Sequence, residues 1–475
     1  MSYIEGVARE QQVLLPEVLD EYVTAENPVR FIDAFVASLD LTALGFQRAT
    51  AAATGRPAYD PGDLLRLYIY GYLYRLRSSR KLEQETHRNV ELLWLLRKLT
   101  PDFKTIADFR RDNPQALKAV CREFTLLCKR LDLFAGELVA IDGSKFRAVN
   151  SRSRNFTRAG LERLLRGIEV RVAEYLSGLD TQDQAETSPP TPSAAALQQK
   201  IDALRVRQGE YAALLAQLEA SGETQISLTD PESRSMKVRG GVDVCYNVQT
   251  AVDAKHKLIV AQDVTNAATD RDCLSPMANA ANAVLGSAHL QVIADRGYYN
   301  GPEITACQDL GITPTVPRPI TSANAKHGLF TKDDFTYQAA PDTYRCPAGE
   351  TLTYRFSTVE QGRGMRYYGT SACGRCGLKA RCTRNKGSRR ITRWVDEGVL
   401  DAMEQRLKEH PELRTRRTAI VEHPFGTMKR WMDQGYFLMR GLVKTRTEFS
   451  LTVLAYNLKR VINLVGVPRM IAALP

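Results

Sequence analysis

The chain has 475 residues, of which 44% are hydrophobic and 25% charged, a balance that excludes wholesale disorder and leaves room for about two to four domains. Lysine and arginine number 65 against 54 aspartate and glutamate, and the resulting charge of +11 favours a polyanionic partner such as nucleic acid. No segment approaches the ~20 apolar residues of a membrane span, and the opening "MSYIEGVAREQQ" has acidic residues and no apolar run, so neither a membrane anchor nor a secretory signal is expected. Nine cysteines, an odd number, argue for the reducing cytosol rather than a disulfide framework.

Residues 1 to about 134 read as helical. In "GDLLRLYIYGYLYRL", Leu64, Leu65, Tyr68, Tyr72 and Leu76 share a helical face. Thr105 and Asp108 have the spacing of a capping box, while Asn113 and Pro114 suit the N-cap and first turn of the next helix. That helix carries Leu117, Val120, Cys121, Phe124, Leu127, Cys128 and Leu131 at helical spacing. The pair fits a helix-turn-helix or ordinary bundle packing, and pattern alone favours the second.

From Glu137 the pattern shifts to short strands. "GELVAIDGSKFRAVNS" contains an apolar strand, Leu138 to Ile141, that runs into Asp142. Val244 to Val252 and Leu258 to Val264 read as a hairpin about a polar turn, followed by a helix from Asp272 to Leu285. "LQVIADRGYYN" is a second apolar strand ending in a carboxylate, Asp295; a short helix from Pro302 to Leu310 and a strand in "GITPTVPRP" follow. This order implies a mixed α/β sheet. Two insertions interrupt it. Residues 155–230 hold two helices, with Leu161, Leu164, Leu165, Ile168, Val172 and Leu176 on the first and Leu197, Ile201, Leu204, Tyr211, Leu215 and Leu218 on the second; "TQDQAETSPPTPSAAA" is the polar loop between them. Residues 327–395 hold a cysteine cluster. The expected organisation is a helical region over 1–134 for DNA binding or dimerisation, a catalytic core from 135–154, 231–326 and 396–465, and these two insertions.

Asp142 and Asp295 each end an apolar run and precede a glycine within two residues. Alone, either would suit a turn. A charge at the edge of an apolar layer is costly unless a cation compensates it, which a lysine or a metal ion could do. In "RRTAIVEHPFGTMKRW", a helix would place Glu422, Phe425 and Lys429 near one face, with Pro424 in a first turn or at a kink. Among the other acidic residues, Asp253 reads as a turn former, Asp270 or Asp272 as a helix cap, and Asp243 as an unresolved candidate ligand. His423 reads as structural.

Together, "AIDGSKFRAVNS", "YNVQTAVDAKHKLIVAQDVTNAATD", "VIADRGYYN" and "RRTAIVEHPFGTMKRW" resemble the catalytic blocks of bacterial insertion-sequence DDE transposases. "YDPGDLLRLYIYGYLYRLRSSRKLEQETHRN" and "PDFKTIADFRRDN" are similar to that family's helical region, so the resemblance spans about residues 50 to 465. It implies an RNase H-like core in which Asp142, Asp295 and Glu422 are the catalytic triad and bind Mg²⁺ or Mn²⁺. Lys429 falls on the family's Glu-x6-Lys pattern. Thr418 stands where the family often has an arginine, and Arg417 is one place earlier, which leaves its role open. The chemistry suits carboxylates: in-line attack on a phosphorus screened by negative oxygens is promoted by two divalent cations about 3.5–4 Å apart, and Mg²⁺ prefers hard oxygen ligands. Lys429, Arg417, Lys145, Arg296, Arg389 and Arg390 are the candidate DNA contacts.

Cys346, Cys373, Cys376 and Cys382 lie within 37 residues, and a CxxC knuckle with two outlying thiols suits structural zinc. "RCGLKARCTRNKGSRRITR" has eight basic residues in nineteen, a solvated loop or a DNA clamp. Cysteines 121, 128, 245, 273 and 307 read as core fillers. The expected function is a transposase that binds the terminal inverted repeats of its element and performs Mg²⁺-dependent strand cleavage and transfer. Its partners would be double-stranded DNA of element ends and target, with a homodimer or larger assembly on DNA in the bacterial cytoplasm, at the nucleoid. The alternatives are a DNA-binding protein with an unused site and a nuclease without strand transfer.

Overall fold

The computed structural model describes residues 18–50, 57–184, 194–319 and 322–475. The opening twelve residues and most of the polar loop in the first insertion lie outside the described residues. Six helices come first: α1 (Pro28–Ala37), α2 (Pro61–Leu73), α3 (Ser79–Thr86), α4 (Val90–Leu95), α5 (Phe103–Asp112) and α6 (Pro114–Arg130). Asp60 caps α2 by accepting from the Gly62 N–H at 2.6 Å, and nearly every side chain of that helix is buried. Asp102, not Thr105, caps α5: its carboxylate accepts from the Lys104 and Thr105 N–H groups, and the Thr105 hydroxyl also donates to it. The expected Thr105–Asp108 box is therefore replaced by a cap three residues earlier, because a carboxylate accepts two orphan amides where a hydroxyl reaches one. Asn113 caps no helix with its side chain, which instead accepts from Gln47 N–H and donates to the Phe109 carbonyl.

The central sheet contains β1 (Leu138–Arg147), then, after the first insertion, β4 (Arg234–Val238), β5 (Gly241–Asp253), β6 (Ile259–Thr265), β7 (Gln291–Ile293) and β8 (Thr313–Thr315); the insertion itself holds β2 (Asn155–Thr157), α7 (Arg158–Gln184), α8 (Ala194–Ser221) and β3 (Gln225–Ser227). β6 and β4 both pair with β5, β5 with β1, β1 with β7, and β7 with β8. The β6–β5–β1 pairings are antiparallel, and the β1–β7–β8 pairings are parallel. Helix α9 (Leu274–Leu285) precedes β7 and α10 (Gly301–Asp309) follows it. In the first insertion α7 packs on α8, with Leu161 and Ile168 buried against the partner helix's Ile201 and Leu218, while Leu164 and Leu176 stay exposed. An Arg158–Glu219 ion pair at 3.0 Å brings the start of α7 to the end of α8, so the pair is antiparallel.

The cysteine-bearing segment forms a five-stranded antiparallel sheet of its own: β9 (Thr336–Gln338), β10 (Thr343–Arg345), β11 (Thr351–Glu360), β12 (Arg363–Gly369) and β13 (Arg390–Trp394), with the short α11 (Lys379–Cys382) beside it. Then come α12 (Glu397–Glu409), α13 (Glu412–Gly426), α14 (Leu442–Val465) and α15 (Val467–Ala472). α14 is buried along most of its length and covers the edge of the sheet, where Asn457 bonds both the N–H and the carbonyl of Ile259. One continuous apolar core runs from Val23 in the helical region through the central sheet to Met470. A buried ion pair ties the two ends: Glu448 accepts from Arg77 at 3.4 Å and from the Leu438 and Met439 N–H groups, while Arg77 donates to the carbonyls of Asp433 and Tyr436. Among the described residues no helix is long and apolar enough to cross a membrane.

Candidate active site

β1 does not stop at Asp142 as its apolar run suggested. It continues to Arg147, held in register by β5, with Asp142 opposite Thr250. What stops is the parallel neighbour. β7 pairs with β1 only over Leu138–Ala140, so beyond Ala140 one side of β1 lacks a strand partner, and burial falls from complete at Ile141 to partial at Asp142. Asp142 is the second residue past that point. Asp295 follows the end of β7, and its side chain accepts from the Gly297 N–H at 2.7 Å, starting the turn Arg296–Tyr298. The two carboxylates therefore meet just past the point where the parallel β1–β7 pairing ends, at the carboxyl end of β7, the side of the sheet on which open α/β sheets form crevices.

Arg417 of α13 closes the group. Its guanidinium donates to Asp142 at 2.7 Å and stands 3.9 Å from Asp295. Burial pushes the Asp142 carboxyl up to about 6; the Arg417 charge opposes that rise and the Asp295 charge adds to it. Arg417 Nε is itself buried without a hydrogen-bond partner. Arg296, exposed beside Asp295, lines a cleft with Asp295, Arg417, Arg414 and Thr418.

Glu422 is not brought into this group. It is exposed, one helical turn beyond the cleft residue Thr418, with no hydrogen bond or ion pair among the described residues. The expected single face for Glu422, Phe425 and Lys429 is also broken, since Phe425 is buried and Glu422 is not. Pro424 lies inside the last turn of α13, where it removes a helical hydrogen bond, and a π-helical turn, Thr427–Trp431, follows. The wider turn delivers Lys429 to β1: its ammonium donates to Ser144 Oγ at 2.6 Å and the Lys145 carbonyl at 2.8 Å, and lies over the Phe146 ring. Burial lowers the Lys429 pKa. His423 bonds Tyr456 and Arg460, in keeping with a structural role.

On the opposite face of β1, Lys145 pairs with Asp270 at 3.3 Å. Asp270 also accepts from Asn247 at 2.6 Å and Gln249 at 2.7 Å, and its side chain caps no helix, while Asp272 accepts from Asn300. The cap expectation for both residues thus gives way to long-range partners that no local pattern reveals. Asp253 is a turn former, accepting from Ala135, Gly136 and Lys255 N–H groups. Asp243 pairs with Arg152. It lies seven residues along β5 from the partner of Asp142, about 23 Å at ~3.3 Å per residue, and is remote from the site.

Cys346, Cys373, Cys376 and Cys382 line one largely apolar pocket with Phe330 and Phe335. Burial raises the Cys382 thiol pKa, and the other three thiols add to the rise. Arg389 reaches this pocket and the Phe330 carbonyl, whereas Arg390 is exposed over Phe356. Among the described residues, no three His, Cys, Asp or Glu side chains are drawn up as a set that could hold a metal ion, either here or at the carboxylates. Cys121, Cys128, Cys245 and Cys307 are buried, and Cys273 packs at the core margin.

Two protein-family profiles match the chain: a transposase domain (DUF772) over residues 17–112 and a transposase DDE domain over residues 345–462. They define an enzyme of DNA transposition. More particularly, it is a transposase of the DDE type, a class that uses divalent metal ions. Glu422 lies within the second matched span; Asp142 and Asp295 lie between the two. A solved structure described as a piggyBac transposase synaptic complex with hairpin DNA is similar over 92% of this chain and 75% of its own, at 8% identity and a TM-score of 0.33. No curated protein matches.

Proposed function

We propose that the enzyme cleaves and joins DNA at the terminal inverted repeats of a bacterial insertion sequence, with Asp142, Asp295 and Glu422 as ligands for Mg²⁺ in an RNase H-like core. The observation that carries this reading is the meeting of Asp142 and Asp295 around one guanidinium. Two carboxylates from different strands that share a cation form a hard-oxygen site, and such donors suit Mg²⁺. The strand order β6-β5-β1-β7-β8, antiparallel on one side of β1 and parallel on the other, supports the RNase H-like assignment. Bound Mg²⁺ supplies nucleophile activation and charge stabilisation at the scissile phosphate. Glu422, exposed one turn past Thr418, would have to turn inward to complete the set. Arg417, which now pairs with the same carboxylates, would be available to meet a phosphate oxygen as a planar two-pronged donor if Asp142 and Asp295 held the cation instead. Lys429 holds the β1 backbone just past Asp142, and Arg296 offers an exposed cation at the cleft mouth. Asp142→Ala and Asp295→Ala should abolish cleavage of terminal-repeat DNA while leaving binding to it; cleavage at a near-normal rate in either variant would refute the assignment.

The cysteine pocket holds a structural zinc under the same proposal. Four soft thiolates suit zinc over Mg²⁺, and closing them on one ion needs movement of a pocket they already line together. Elemental analysis of protein purified without chelator should give about one zinc per chain.

A further inference from the structure

Asp142 and Asp295 leave different strands, and one chain of polar groups, buried at Tyr298 and Gln249 and half-buried at Asp270, links the segments that carry them. Tyr298, three residues after Asp295 and fully buried, donates its hydroxyl proton to Gln249 Oε1. Gln249 in turn donates from Nε2 to Asp270 Oδ1 at 2.7 Å. It stands opposite Gly143, the residue after Asp142, in the β1–β5 register. The orientation of the Gln249 amide is set from both ends, because only its oxygen can accept from the tyrosine and only its nitrogen can donate to the carboxylate. Asp270 is fixed by Asn247 and Lys145 from the far side. The contact with β1 is close: a Cβ at Gly143 would lie 2.5 Å from Gln249 Nε2 and 2.6 Å from Asp270 Oδ1, so only glycine admits the chain of groups at this distance.

We propose that Tyr298, Gln249 and Asp270 are positioning residues that set the spacing of Asp142 and Asp295, and with it the affinity for a divalent cation. The inference rests on the reading of those two carboxylates as the ligand pair. None of the three need touch the cation. They act by tying the turn after Asp295 to the strand of Asp142, much as outer hydrogen-bond partners orient ligands in metal sites, where their loss costs about 10–100-fold in affinity.

The test is Mn²⁺ binding to the full chain, followed by electron paramagnetic resonance, beside thermal unfolding in metal-free buffer. Tyr298→Phe, Asp270→Asn and Gly143→Ala should each weaken Mn²⁺ binding by about 10-fold or more. Tyr68→Phe is the control: it removes a comparably buried hydroxyl, bonded to the Ile106 carbonyl at 2.7 Å in the helical region, and should leave Mn²⁺ affinity unchanged. If Tyr298→Phe folds poorly, the polar Asp270→Asn carries the test. Equal Mn²⁺ affinity in the folded variants and the parent would overturn the inference. A fall in Tyr68→Phe as large as in Tyr298→Phe would also overturn it, by showing a general loss of stability. Asp142→Ala distinguishes the underlying reading: if it binds Mn²⁺ as the parent does, the ligand assignment itself has failed.

Discussion

Around Asp142 and Asp295 the framework is a sheet inside one long apolar core, and β1 and β7 are buried in the residues that lead up to the carboxylates. Around Cys346, Cys373, Cys376 and Cys382 the framework is a sheet whose own core is five residues, Phe335, Tyr344, Leu352, Tyr368 and Ile391, and β11 is exposed along nearly all of its length. The carboxylate site is held by packing that would persist without an ion. The cysteine module has too little buried apolar surface to fix four thiols by packing, since burial of one large apolar side chain contributes only about 1.5–3 kcal/mol against the cost of ordering a segment of this size. Removing a cation should therefore have opposite kinds of consequence in the two places: lost chemistry in the first, lost structure in the second.

The largest effect expected is on the packed side. Glu448 is buried with Arg77 as partner, and burial raises its pKa. Glu448→Ala leaves Arg77 as a buried cation with two carbonyls and the Tyr436 ring but no carboxylate, and strips two backbone N–H groups of their acceptor, so a loss of roughly 3–5 kcal/mol is expected. Chemical denaturation should read it as one transition at lower denaturant, because helices and sheet share one core. Two separated transitions would show that the helical region and the central sheet are distinct folding units, and the contrast would have to be redrawn.

Chelation supplies the next. A zinc-selective chelator should increase hydrogen exchange across residues 343–394 and leave β1, β5 and α14 protected, since the binding energy of a structural zinc is folding energy for the segment that holds it. Unchanged exchange in β10 to β13 would mean that five buried apolar residues suffice, and the distinction between the modules would fall.

Much of the carboxylate side could be read from residue order, and the cysteine side only as a set of spacings. The hairpin of β5 and β6 and the helices α9 and α10 follow from local periodicity, with observed bounds within about three residues of those expected, and so do the apolar runs that lead to Asp142 and Asp295. The continuation of β1 past Asp142 was hidden because it depends on pairing with β5, about a hundred residues away. The cap reading of Asp270 or Asp272 fails for the same reason: the partners of Asp270, namely Asn247, Gln249 and Lys145, are distant in sequence, and a polar residue before a helix has a ready local explanation. Glu422 is assigned by the family resemblance alone; the face expected for it with Phe425 and Lys429 rests on a helical repeat that the π turn after Pro424 interrupts before Lys429.

A third effect is a pH dependence confined to the carboxylates. In the folded, metal-free protein the Asp142 carboxyl titrates near pH 6, above the ~3.9 of an unfolded chain. The folded state thus binds this proton more tightly, and its ionisation, as pH rises from about 4 through 6, removes stability. A cation that pairs with the ionised carboxylate returns that stability, while below about 6 it must first displace the proton. The rise in melting temperature on adding Mn²⁺ should be largest near pH 7.5 and shrink as pH falls through 6. In Asp142→Asn this dependence should vanish. A shift of equal size at pH 5 and 7.5 in the parent would show that Asp142 is not a ligand.

The smallest effect concerns the basic run at 375–393, which borders the cysteine pocket. Its members are not equivalent. Arg389 is committed inward, to the Phe330 and Cys382 carbonyls, while Arg384, Lys386 and Arg390 are exposed. If the exposed three meet DNA phosphates, neutralising each should reduce the slope of log affinity against log salt by about 0.9 on duplex DNA, with cleavage per bound complex unchanged. Arg389→Gln should behave differently, loosening the module more than it changes the slope, because its charge lies against the thiols and the Phe335 ring rather than in solvent. If the slope is unchanged in the triple variant, the run is a solvated loop, and the cysteine module would then serve the enzyme through shape alone. A slope change in Arg389→Gln as large as in Arg390→Gln would mean that the inward arginine turns out to the DNA, and that this module, unlike the packed carboxylate site, rearranges when it binds.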